Sequence, residues 1–166
     1  MARKMAGKNP RKKPRKLAAK LAAKLAEGAL ALIVLDGGYE RVHYALAMAA
    51  AAAAIGRKAS LFFTNHALHG LAAPRKGVPG WHSLRPDAGG RSAAAQDKAR
   101  LAAKVGGFDE LLEACAELGV RLMACEMGLR NAGLAAADLR SDLPIEVSGL
   151  VTLYAETPAD CRLIVI

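Results

Sequence analysis

The chain has 166 residues, enough for one domain with a full hydrophobic core and too few for two. Its formal charge of +9 would suggest a nucleic-acid partner, but ten Lys/Arg against the single acid Glu27 fall within residues 1–27, and the rest of the chain carries fourteen of each sign. A uniformly basic binding domain is thereby excluded, and the excess charge belongs to an N-terminal extension ahead of a domain spanning 28–166.

Within that extension, eight basic residues, Pro10 and Pro14 among the first sixteen leave too little apolar surface to bury, so a flexible segment is expected. From Lys16 a KLAA unit repeats and sets Leu17, Leu21 and Leu25 on one helical stripe. Lys16, Lys20 and Lys24 interrupt what a secretory signal would need as an apolar run. The longest apolar stretch, Ala45 to Ile55, falls short of the roughly 18 residues of a membrane span. These features predict a cytoplasmic protein without an integral membrane segment. Its extension offers nonspecific anionic contacts, and with no aromatic residue before Tyr39 it offers no stacking platform for single strands. Cys115, Cys125 and Cys161 are an odd number, unsuited to a disulfide framework.

From Gly28 the pattern becomes that of an α/β fold. ALALIVLDGG (Ala29 to Gly38), a continuous apolar run closed by Asp36, Gly37 and Gly38, predicts a buried parallel strand and its exit loop. Tyr39–Ile55 predicts an alanine-rich helix stopped by Gly56, and Lys58–Thr64 a second buried strand. The stretch 65–107 is rich in Gly and Pro, with helical composition over Ser92–Val105. Gly107–Val120 has apolar residues at helical spacing and ends at Gly119. RLMAC predicts a third strand, Leu129–Leu139 a helical segment broken at Gly133, Gly149–Glu156 a fourth strand and CRLIVI a fifth. Strands alternating with helices predict a three-layer α/β/α domain with a mainly parallel five-stranded sheet, whose chemistry gathers at the carboxyl ends of the strands.

Three segments leave that edge: Asp36 to Tyr39, Thr64 to His66, and Cys125 to Gly128. Cys125 is the nucleophile candidate, because a helix starting directly after it would turn free amides toward its sulfur. Glu126 opposes this unless its side chain points away. Asp36, Gly37, Thr64, Asn65, Glu126 and Met127 are the candidate pocket. Cys115 lies on an apolar helical stripe and reads as core, whereas Cys161 opens the last strand and reads as core or as a resolving thiol. His66 and His69, three apart, with His82 beyond them, have no cysteine or carboxylate at ligand spacing, so neither a metal nor another cofactor is expected. Trp81 reads as a lid, an oligomer contact or a loop anchor.

The stretch FDELLEACAELGVRLMACEMGLRNAGL, followed by IEVSGLVTLYAE and a short terminal strand, resembles the DsrE/DsrF-like family of sulfur-relay proteins, in particular its peroxiredoxin-labelled branch. ALIVLDGGYERVHYALAMAAAAAAIGRKASLFFT is similar to the amino-terminal half of the same family, and Leu118 to Met127 carries the most specific part of the likeness. The resemblance implies a DsrE-like α/β/α fold, homo-oligomer formation, and a strand-end cysteine, here Cys125, that carries sulfur as a persulfide between donor and acceptor proteins. Relatives often continue past that cysteine with Met-Ser-Met, where this chain has Met127, Gly128 and Leu129. Two functions follow as expectations: a thiol-based sulfur carrier, and a non-enzymatic oligomeric binding or scaffold module on the same fold. A thiol peroxidase is suggested only by the branch label, since no Thr-x-x-Cys arrangement precedes Cys125.

Overall fold

The computed structural model describes residues 27–166; the basic extension and its leucine stripe lie outside the described residues. Five strands, β1 (Leu30–Val34), β2 (Ala59–Phe63), β3 (Arg121–Cys125), β4 (Ile145–Ser148) and β5 (Arg162–Val165), pair in the order β4-β3-β2-β1-β5. Every pairing is parallel, in registers such as Ile33 with Phe62 and Phe62 with Met123. The helices are α1 (Tyr39–Ala54), α2 (Ala93–Ala102), α3 (Phe108–Glu117), α4 (Glu126–Ala132) and α5 (Leu150–Glu156), with 3-10 segments at Asn65–Leu71, Gly80–Ser83 and Ala136–Asp138.

The two faces of the sheet are unequal. Leu32, Val34, Leu61, Phe63, Leu122 and Ala124 point to one face and pack under α1 and α3 in the main core. Burying the leucine, valine and phenylalanine side chains among these contributes about 1.5 to 3 kcal/mol each. Residues of opposite parity, Ile33, Phe62, Met123 and Cys125, form a second, small cluster in which the one helix-borne member is Leu153 of α5. The second layer is therefore thin. Leu35, Val151, Tyr154, Leu163 and Val165 stay exposed.

Helix α1 buries Val42, Ala45, Leu46, Ala49 and Ala52, spaced three and four apart, against the main core. Its small side chains let α3 approach until the Cys115 thiol donates to the Leu46 carbonyl at 3.3 Å. The alanine run thus serves packing inside the domain, and the large apolar residue this helix turns outward is Tyr44, 64 % exposed. Trp81 is a core residue rather than a lid: it is buried, stacks on Phe108 with centroids 5.2 Å apart, and donates from Nε1 to Asp109 at 2.9 Å.

Two element expectations are corrected. Gly149–Glu156 is not the fourth strand; Leu150–Glu156 is helix α5, and the strand is the preceding IEVS. The β-branched and aromatic residues of α5 look strand-like, but Leu153 is the one residue of the segment that is buried, which suits a short helix laid on a sheet face. The helical segment expected over Leu129–Leu139 begins earlier, at Glu126, and stops at Gly133, whose φ of 66° lies in the left-handed region that ends helices.

Candidate functional site

Strand β3 occupies the middle of three adjacent strands, and Cys125 is its last residue, at the carboxyl edge. The chain turns into α4 at once, with Cys125 as the N-cap residue, and the Gly128 N–H donates to Cys125 Sγ at 3.3 Å. This sulfur receives one of the backbone donors that the first turn of any helix leaves unpaired. Glu126 points away from it: the side chain is exposed and lies 3.5 Å from Arg130, one turn along. Met127 is 62 % exposed and belongs to the surface beside the site.

Gly128 makes the close packing of this corner feasible. A Cβ there would fall 2.5 Å from Thr64 Oγ1 and 2.7 Å from the Asn65 nitrogen, so no larger residue fits without moving α4 off the exit of β2. Asn131 of α4 donates to the Asn65 side chain at 3.0 Å and closes the same contact. Continuing the register beyond Phe63 and Ala124 puts Thr64 beside Cys125 on one flank. Ser148 of β4 pairs with Cys125 on the other. Thr64, Asn65 and Cys125 thus lie at one corner of the sheet edge.

Asp36 and Gly37 do not lie there. They leave β1, two strands from β3, roughly 10 Å away across the sheet. Asp36 accepts from the Gly38 amide at 2.7 Å, bonds Arg85 and lies 3.3 Å from Arg41, beside a separate cavity of about 210 Å³. Partial burial opposes ionisation of Asp36, but the Gly38 amide and the two guanidinium groups outweigh it and hold the carboxyl below the usual range. Gly37 abuts the His66 ring, whose centroid is 4.7 Å from that of His69. Burial, then the charges of His66 and Arg75, lower the His69 pKa.

The three cysteines separate by environment. Cys115 is fully buried in the main core, and burial pushes its thiol up to about 12. Cys161 precedes β5 at the amino edge of the sheet, beside a cavity of about 280 Å³ that it shares with Lys58, Ser60, Arg121 and Leu153. Because all strands run one way, it lies about 20 Å along the strand direction from Cys125, and three strands over. Bridged cysteines need Cα atoms within about 7 Å, so Cys161 cannot resolve Cys125 within one chain in this arrangement.

Cys125 itself is 2 % exposed and belongs to the small apolar cluster of Ile33, Phe62, Met123 and Leu153. Helix α5 is held at its other end by Arg121, which donates to Glu146 of β4 at 2.9 Å and bonds Glu156. Composition and spacing point to the cysteine but not to α5, whose residues look like a strand. Ser148 carried no signal at all.

Among the described residues, no helix is long and apolar enough to cross a membrane. None of the curated proteins compared with the chain matches it. Residues 29–165 match the DsrE/DsrF-like family, which takes in the whole sheet, the Cys125 corner and α5. With that match laid over an all-parallel five-stranded fold, the chain belongs to the DsrE/DsrF-like family.

Proposed function

We propose that this protein is a sulfur carrier in which Cys125 holds sulfane sulfur as a persulfide. The supporting observation is the Cys125 sulfur at the carboxyl end of β3 with the Gly128 amide aimed at it, in a chain whose family membership supports a role related to sulfur relay. In the loading step the Cys125 thiolate attacks the outer sulfur of a donor persulfide. A new S–S bond forms at Cys125, the donor's S–S bond breaks, and the donor departs as a thiolate. In the unloading step an acceptor thiolate attacks the outer sulfur and Cys125 leaves as thiolate, its charge met by the Gly128 N–H. Neither step is a net oxidation.

With Cys125 only 2 % exposed, both steps require a local opening, which we assign to α5, the helix whose Leu153 belongs to the same apolar cluster. Donor and acceptor are proteins in this reading, the protein acts in the cytoplasm as a homo-oligomer, and the basic extension adds nonspecific anionic contacts. Loss of heparin retention on deleting residues 1–27 tests that last point.

The second reading, an oligomeric binding or scaffold module, is favoured by the same burial, since a small apolar residue at Cys125 would pack as well. Incubation with thiosulfate, polysulfide or a persulfidated rhodanese, followed by peptide mass analysis, separates the two. Gain of one sulfur on Cys125 supports the carrier; no gain on a thiol that alkylates in the folded protein supports the scaffold.

A further inference from the structure

We infer that Ser148 is the hydrogen-bond donor that holds the outer sulfur of the Cys125 persulfide, an inference that rests on the carrier reading. Ser148 is the register partner of Cys125 on β4, so the two side chains leave the same face of neighbouring strands about 4.8 Å apart. Its Oγ is buried without a hydrogen-bond partner. A buried hydroxyl with nothing to bond is unfavourable and calls for a partner, whether a water, an ion or a group held at the site.

The resting thiol does not need Ser148, because its sulfur already accepts from the Gly128 N–H. A persulfide adds an atom with no donor of its own, about 2.05 Å beyond Sγ. That outer sulfur is the charged atom of a persulfide anion, and the apolar cluster to which Cys125 belongs is formed by Ile33, Phe62, Met123 and Leu153. An anion among apolar side chains requires a donor close by. Thr64 on the opposite flank is pressed against the Gly128 backbone. The nearest charged groups on the packed elements are committed elsewhere: Glu146 and Glu156 to Arg121 at the far end of β3, and Glu126 to Arg130 on the surface. Of the two hydroxyls that flank Cys125, that of Ser148 is the one buried without a partner.

The full-length protein is loaded with inorganic polysulfide, and alkylation of the Cys125 persulfide by iodoacetamide is followed against pH by peptide mass analysis. Removing a donor from the anion raises its pKa, so Ser148→Ala and Ser148→Val should shift the alkylation midpoint upward by about one pH unit. Ser148→Thr, which matches valine in shape but keeps the hydroxyl, should retain the wild-type midpoint. Equal midpoints for the threonine and valine variants overturn the assignment of Ser148 while leaving the carrier reading intact. Failure of the wild-type protein to take up sulfur on Cys125 overturns the carrier reading, and this inference with it.

Discussion

Leu153→Ala should expose Cys125 without dismantling the sheet. Leu153 is 2 % exposed and is the one residue through which a helix covers the Cys125 cluster; the rest of α5 is exposed or half-buried. Truncating a buried leucine to alanine costs at least about 2 kcal/mol in transfer and cavity terms. Here the lower part of the measured range applies, about 2 to 3 kcal/mol, because a site under a single thin helix collapses readily. If α5 opens as a local unit, that loss multiplies its open population and hence the Cys125 alkylation rate by roughly 30- to 150-fold. Timed alkylation with peptide mass analysis across low urea concentrations reads this directly. A local opening exposes little surface, so the Cys125 rate should barely depend on urea, whereas Cys115, buried beneath α1, should react with the steep dependence of global unfolding. If Cys125 shows the same urea dependence as Cys115, or if Leu153→Ala leaves its rate unchanged, α5 is not the cover and the gating argument fails.

Gly128→Ala should destabilise the protein by about 1 to 3 kcal/mol and slow sulfur loading, because its Cβ meets Thr64 and Asn65 and must push the Gly128 amide away from Cys125; thermal melting and loading rates check both halves. Cys161→Ser should leave loading on Cys125 unchanged and no intramolecular Cys125–Cys161 disulfide should appear by non-reducing mass analysis, since the two sit at opposite edges of the sheet. Cys115→Ser should cost about 1 to 2 kcal/mol in a urea melt, the hydroxyl inheriting the bond to the Leu46 carbonyl but burying a more polar group. His43 is 3 % exposed and burial lowers its pKa, only partly offset by the Gly106 carbonyl that its Nε2 meets at 2.8 Å. The unfolded chain then binds the proton more readily, so His43 contributes stability above the unfolded value near 6.5 that is lost as pH falls toward the lowered folded one. The thermal midpoint should fall from pH 7 to pH 5, and less steeply in His43→Gln.

Much of the fold was legible because continuous apolar runs and glycine stops coincide with real boundaries. LALIV, ASLFF and RLMAC are strands buried on both faces, and a run without alternation is what such strands require. At the sheet edge the signal changes. IEVS alternates apolar and polar residues over only four positions, too short to stand out beside GLVTLYAE, whose strand-like composition belongs to a helix held by one leucine. Cys125 could be placed at a strand end, and Thr64 and Asn65 beside it, because consecutive strands of a parallel sheet release their exit loops at one edge. Asp36 shares that edge but not the site, since strand order and lateral distance do not follow from sequence spacing. Ser148 was invisible for a related reason: its meaning comes from register with Cys125 and from an unpaired Oγ, both properties of the assembled sheet.

The central claim is that Cys125 takes up sulfur and gives it back. The most direct measurement follows the mass of the Cys125 peptide in the folded full-length protein, first after a persulfidated rhodanese and then after an acceptor thiol. The account predicts one added sulfur on Cys125 alone, removed by the acceptor, and none in Cys125→Ser. An unmodified Cys125 peptide, or equal loading of the Cys125→Ser variant, would contradict it.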